Sequence, residues 1–230
     1  MVQKRYLLVL FLTVALFLVN ALPGWAAEEG RDEVEVIVPP QGITELDLEK
    51  EFCVYRGYSG APVEVIVESS GLRLSALKIS YDQHNQLLTA EEAVKLETEK
   101  MIATGERMVL TSELVRLPEG GEITILEPEE MRLVVGGAFS YHLEEETIQG
   151  EAGFTLWGPE WVMEGERFDG SMREEHVTAA GSPMIRWEEG ILQGEAGTVI
   201  TYDLASGQIT AEGPTKTRFY QDRGVHSSGD

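Results

Sequence analysis

Four histidines and forty carboxylates are the side chains of this sequence with obvious chemical capacity. His84, His142, His176 and His226 are scattered, and none falls in a His-Glu-x-x-His or comparable ligand spacing. His84 and His142 fall at expected turns or strand ends, where a histidine is ordinarily solvated. Asp169 with Glu174 or Glu175 has the makings of the carboxylate pair that hydrolyses a glycosidic bond, but among forty acidic residues such pairs arise without purpose. Glu144-Glu145-Glu146, and Glu127 with Glu129 and Glu130, offer oxygens to Ca²⁺ or Mg²⁺. Neither run lies in an Asp-rich loop with an internal glycine. There is no phosphate-cradling glycine loop and no nucleophile elbow, so the expectation is a non-catalytic protein with no cofactor and no metal. Trp157, Trp161 and Trp187 could stack on sugars from an open sheet face; core or rim packing is the other use of each. Cys53 is the single cysteine, so no internal disulfide framework exists. It reads as a small buried hydrophobe rather than a reactive thiol.

The elements that would position these groups are set by composition and pattern. Eighteen basic residues face forty acidic ones, a net charge of −22. That favours solubility and excludes nucleic acid as a partner, whose phosphates need a basic surface. A hydrophobic content of 43% is enough for an ordinary core. Residues 1–26 read as a signal peptide: Lys4 and Arg5, an apolar stretch from Tyr6 to Leu22, then Pro23-Gly-Trp-Ala26 with a cut before Ala27. The apolar stretch approaches the ~20 residues that span a bilayer, so a retained N-terminal anchor is the alternative. Either reading places the remainder outside the cytoplasmic membrane, in the periplasm or anchored facing it.

Beyond residue 33 the pattern is alternation. Val34, Val36 and Val38 share one phase, as do Val63, Val65 and Val67. Leu72 and Leu74 lie on one phase, and Leu77, Ile79 and Tyr81 on the other; the switch near Ala76 predicts a bulge or bend. Further stripes are Leu88, Ala90, Val94 and Leu96, with Glu92 on the same face; Met131, Leu133, Val135, Phe139 and Tyr141, with Gly136-Gly137 inside; and Ile148, Gly150, Ala152, Phe154 and Leu156. Leu192, Gly194, Ala196, Ile200 and Tyr202 follow, then Ile209, Ala211, Gly213 and Phe219. Residues 87–101 are rich in helix formers, but their alignment with the later stripes predicts a strand, tertiary pairing overriding propensity. Small residues recurring at mid-strand predict a shared crease, with a sheet folded along it like a half-closed book. Two ordinary packed sheets are the alternative. The expected organisation is 1–26 leader, 27–70 N-terminal strands and lead-in, 71–219 the main β domain, and 220–230 a polar tail.

The stripes also repeat as phrases. Gln149-Gly-Glu-Ala-Gly153 recurs verbatim as Gln193-Gly-Glu-Ala-Gly197, 44 residues later. Tyr81–Leu96, Tyr141–Leu156 and Tyr202–Phe219 each open on an aromatic, pass a polar turn and resume as an alternating strand, and Phe168–Arg186 is a weaker copy. The shared phrase, aromatic-Asp, then Gly/Asn-x-Leu/Ile-Thr-Ala-Glu-Gly, resembles the OstA-like domain of lipopolysaccharide-transport proteins, over about residues 71–219. That resemblance implies an all-β, elongated antiparallel β-jellyroll of the LptA and LptC kind, a folded, V-shaped sheet with a groove between two faces. It implies that acyl chains of lipopolysaccharide or a similar amphiphile lie in the groove, carried across the periplasm toward the outer membrane. Other OstA-like envelope proteins, an ABC transporter complex or an end-to-end homo-oligomer are the implied partners. Stripe phase and resemblance together nominate Val94, Leu96, Phe139, Phe154, Leu156, Ile200 and Phe219 for lipid contact, and a charge at Phe154 is expected to abolish binding in a folded protein. A polysaccharide-binding module and a structural β-scaffold are the rival readings. On the first, two or three tryptophans would share an open polar face.

Overall fold

The structure, a computed structural model, describes residues 34–68, 71–99, 101–111, 113–126, 130–142, 145–171 and 173–220. The expected leader, Glu127, Glu129, Glu144, His226 and the tail from residue 221 lie outside them. Among the described residues there are twenty β-strands and no α-helix. In chain order they begin β1 (Val34–Ile37), β2 (Ile43–Asp47), β3 (Phe52–Arg56), β4 (Val63–Val67), β5 (Leu72–Ala76), β6 (Lys78–Asp82), β7 (Leu87–Glu97) and β8 (Met101–Leu110). Next come β9 (Leu114–Leu117), β10 (Gly121–Ile125), β11 (Met131–Val135), β12 (Phe139–His142), β13 (Thr147–Trp157) and β14 (Trp161–Ser171). The last six are β15 (His176–Ala180), β16 (Met184–Trp187), β17 (Gly190–Gly194), β18 (Val199–Asp203), β19 (Ile209–Glu212) and β20 (Thr215–Phe219).

All pairing is antiparallel, and the register separates it into two arrays. The first runs β1-β4-β5-β7-β8-β10-β11-β13-β14-β16-β17-β20. The second runs β2-β3-β6-β7-β8-β9-β12-β13-β14-β15-β18-β19. Both orders follow the sequence. The chain therefore makes twelve consecutive traverses, each contributing one segment to each array, and each stepping from one array to the other at mid-length. This is the antiparallel β-jellyroll, a meander folded along a crease. The arrays continue without a break across residue 70, since β4 pairs with β5 and β3 with β6.

The crease is built in two ways. β7, β8, β13 and β14 pass through it unbroken. Between Glu91 and Val94, β7 takes three steps while β8 takes two, and between Glu151 and Phe154, β13 does the same against β14. The extra residue is a β-bulge, which bends the strand. Its residues are left-handed: Glu92 and Ala93 at φ 66° and 55°, Ala152 and Gly153 at φ 72° and 84°. The other traverses break, as at Leu77 between β5 and β6, where the apolar phase switches, and at Gly136-Gly137-Ala138 between β11 and β12. Residues 87–97 are strand, as the stripe alignment requires. Glu92 departs from its expected place on the inner face: as a bulge residue it is turned out and exposed. Ala152, Ala196 and Ala211 are exposed too, the first two because they sit at the crease and the third because it lies on the open edge strand β19.

Opposite each bulge stands the same tripeptide, Gly105-Glu106-Arg107 on β8 and Gly165-Glu166-Arg167 on β14, sixty residues apart. Gly165 leaves room for the Phe154 ring and Gly150 for the Phe168 ring; a Cβ at these positions would sit 2.9 Å and 2.2 Å from them. On the outer side Glu91 accepts a short hydrogen bond from Lys78 and lies 3.7 Å from Arg107. Lys78 foremost, then Arg107, hold its carboxyl below the usual glutamate range.

Gly150→Ala should lower unfolding free energy by about 1–3 kcal/mol, the usual cost of forcing extra volume into a packed core, measured by denaturant titration; an unchanged midpoint would show that the Phe168 ring moves freely. A carboxyl whose value is depressed by folding stabilises the fold while ionised and ceases to as the pH falls through its folded value. The stability gap between the parent protein and Glu91→Gln should thus be widest near neutrality and close as the pH drops below the ordinary glutamate range, read from melts across acid pH.

Candidate functional site: the space between the sheets

The two arrays face each other across a single apolar interior. From the first come Val65, Leu74, Val94, Leu96, Leu133, Phe154, Leu156, Met163 and Ile185, all buried; from the second Ile79, Leu88, Met108, Leu117, Phe139, Ile148, Phe168 and Ile200. Period-two alternation sends every second side chain inward on both sides of the crease. Aromatic contacts join the halves. Phe168 stacks on Phe139 within its own array, at 5.9 Å, and meets Phe154 of the opposite array at 5.0 Å. Trp161 meets Tyr202 across the interior at 4.4 Å. Burial holds the phenols of Tyr55 and Tyr141 neutral, pushing both up to about 12, with Cys53 adding to the first and Glu146 to the second.

Packing is uneven along the stack. In the middle the space is filled. Toward the last traverses Trp161, Trp187, Leu192, Tyr202, Leu204 and Ile209 are half-buried and packed against the core, as Val34, Val36, Val38 and Cys53 are at the first. Beyond them Phe219 is 72% exposed, its ring meeting Trp187 edge-on at 6.3 Å. This aromatic-rimmed end, where the interior meets solvent, is its mouth. At the other end Ile43, Leu46 and Leu48 are exposed.

The nominated lipid contacts divide accordingly. Val94, Leu96, Phe154 and Leu156 project from the first array and Phe139 and Ile200 from the second, all buried core; Phe219 alone is exposed, on the last strand. A charge at Phe154 would be buried without a partner against Phe168, so that substitution would unfold the protein rather than report on binding. The tryptophans do not form one open platform. Trp161 and Trp187 are register partners that pack against the core. Trp157 is half-buried with the Arg132 guanidinium 5.3 Å from its ring, and Arg132 is itself held by two 2.7 Å hydrogen bonds to Glu122. The Trp161–Tyr202 pair and the Gly-Glu-Arg repeat were missed; the second was legible, at the same sixty-residue spacing as Tyr81 and Tyr141.

The groups with chemical capacity sit apart from this interior. His84 is in an exposed turn, His142 lies 2.8 Å from the Gln149 amide, and His176 lies 3.6 Å from Glu174. Asp169 is exposed on β14, and Cys53 is half-buried. Among the described residues no three His, Cys, Asp or Glu side chains gather as a metal site would require.

No family model matches the chain, and no curated protein matches it. Among solved structures it is similar to the crystal structure of LptH, the LptA homologous periplasmic component of the conserved lipopolysaccharide transport device from Pseudomonas aeruginosa. The likeness covers 82% of this chain and 95% of that one at 12% identity, with a TM-score of 0.28. A likeness of that degree carries no function across, and the fold assignment rests on the strands and their register.

Trp187→Phe should remove the part of the intrinsic fluorescence that responds to additives at the mouth, while a soluble quencher should reach Trp187 more readily than Trp161. Equal quenching of the two would show the mouth to be closed.

Proposed function

We propose that the chain is a non-catalytic carrier of an acylated amphiphile, lipopolysaccharide or a relative, working in the envelope outside the cytoplasmic membrane. The observation that carries this reading is the apolar interior shared by two sheets, ending in half-buried aromatics and the exposed Phe219 at the last traverses. Acyl chains enter at the Trp187–Phe219 mouth and replace side-chain contacts between the sheets, while the polar head stays outside. Each buried methylene contributes about 0.8 kcal/mol, so hydrocarbon needs no polar chemistry to be held. The resemblance of the repeated phrase to OstA-like domains supports the choice of cargo.

The edges support a bridge. β1 and β20 are the free edges of the first array, β2 and β19 of the second. With twelve alternating traverses, the last runs opposite to the first. β20 of one copy can therefore pair antiparallel with β1 of the next, and β19 with β2, extending both arrays by strand addition. Charge agrees at one of the two joints: Lys216 and Arg218 on β20 have no carboxylate partner among the described residues, and β1, the strand they would meet, carries Glu35. Other OstA-like proteins, or an ABC transporter complex if the leader is retained, would present a similar edge.

Phe219→Glu places a charge where it stays solvated, so the melt should hold while uptake of lipopolysaccharide, followed by native mass spectrometry of protein taken from its own envelope, falls at least tenfold. Undiminished uptake in that variant, or no bound lipid in the parent, would move the reading to a scaffold. Reversing the two cations (Lys216→Glu with Arg218→Glu) should reduce concentration-dependent association by light scattering, most strongly at low salt. Association of equal strength would place the joint elsewhere.

A further inference from the structure

The strand order fixes where the polar head of a cargo can sit. A meander folded along a crease reverses direction only at the strand ends that face away from the crease. The reversals after β4, β7, β10, β13 and β16 lie on the first array, and those after β2, β6, β8, β12, β14 and β18 on the second. They form two lips along the open side of the folded sheet. The apolar interior lies between these lips and ends at the mouth by Trp187 and Phe219.

Both lips are acidic. Among the described residues the first carries Glu68, Glu99, Glu130, Glu160, Glu188 and Glu189, and no Lys or Arg. The second carries Glu49, Glu51, Glu113, Glu145, Glu174 and Glu175. Its described Lys and Arg are engaged, Lys50 with Asp47 at 2.9 Å and Arg173 with Glu146 at 3.3 Å. The mouth has the same sign. Glu160 precedes Trp161, Glu188 and Glu189 follow Trp187, and Asp203 follows Tyr202, so each of these rim aromatics has a carboxylate beside it. The Ser206 backbone amide, hydrogen-bonded at 2.7 Å, is the main cause that holds the Asp203 carboxyl below the usual aspartate range. Arg186, next to Trp187, is taken up by Glu164 at 2.8 Å. Lys216 and Arg218 lie on the other face of β20 from Phe219.

We infer that the interior takes an amphiphile whose head bears no negative charge, an acylated sugar free of phosphate and carboxylate. The inference rests on the carrier reading and narrows its cargo. Acyl burial is the same beneath a charged head as beneath an uncharged one, so the lips and the rim decide between them. A head that emerges beside Trp161 or Trp187 sits next to Glu160, Glu188 and Glu189, too near for salt, which screens beyond about 8 Å, to hide them. A phosphate there meets like charge on both lips. Sugar hydroxyls instead donate hydrogen bonds to the carboxylates, which only accept. Repelling the wrong head is a source of selectivity equal to attracting the right one.

The test titrates the full chain, in a neutral detergent, with diphosphorylated lipid A and with the same lipid stripped of phosphate, followed by intrinsic tryptophan fluorescence. The phosphate-free form should bind at least tenfold tighter at low salt, and the gap should narrow as salt is raised. Glu160→Gln with Glu188→Gln and Glu189→Gln, at three exposed positions, should leave the melt and the affinity for the phosphate-free form unchanged. The same variant should bind the phosphorylated form at least threefold tighter than the parent does. Equal or tighter binding of the phosphorylated form by the parent would overturn the inference and leave the carrier reading standing. So would a preference that neither salt nor the triple variant reduces. Binding of neither form would remove the carrier reading, and this inference with it.

Discussion

Every traverse must leave one array and enter the other at the same level, and that single turn governs the molecule. A strand that ran straight on would carry both halves into one flat sheet with half its apolar side chains in water. The bulges at Glu92-Ala93 and Ala152-Gly153 enforce the turn in the through-strands, at the expense of placing non-glycine residues in left-handed backbone. Neighbouring traverses hold the turn by backbone hydrogen bonds, Leu77 N to Glu92 O at 3.0 Å and Gly136 N to Gly153 O at 3.0 Å. Ring packing then uses the space that the small residues leave, Phe168 over Gly150 and Phe154 over Gly165. Remove the turn and the shared interior does not exist.

Charge is arranged around the same frame. Cross-strand ion pairs such as Arg132–Glu122 and Lys78–Glu91 lie on outer faces, where exposed pairs contribute little to stability individually. Charged side chains on open edges discourage indiscriminate strand pairing, and Glu35 on β1, Glu45 and Asp47 on β2, Glu212 on β19 and Lys216 and Arg218 on β20 all lie on such edges.

Much of this was legible in the residues. The phase switch at Ala76, the glycine pair at 136–137 and the alternation over 87–97 each corresponded to a physical event: a change of array, a break, and a strand formed against helix propensity. What alternation could not show was which residues at a crease belong to neither face. Glu92 and Ala152 fit their stripes by counting, yet a bulge adds a residue and turns them out, and Ala196 falls in the break between β17 and β18. Nor could it show depth along the stack. Phe154 and Phe219 occupy equivalent phases, but among the described residues one has traverses on both sides and the other has none beyond it. The site was readable as a face and unreadable as a position, because burial depends on neighbours a stripe does not name.

The strictly sequential strand order has an evolutionary corollary. Since each traverse touches mainly the ones before and after it in the chain, stability is distributed as in a repeat protein, from units and their nearest-neighbour interfaces. Duplicating a traverse pair would lengthen the interior while leaving the direction of both edges intact, whereas adding one traverse would reverse an edge. Growth in pairs is therefore the step open to such a gene, and the sixty-residue echo between Gly105-Glu-Arg107 and Gly165-Glu-Arg167, four traverses apart, has the spacing such a history would leave.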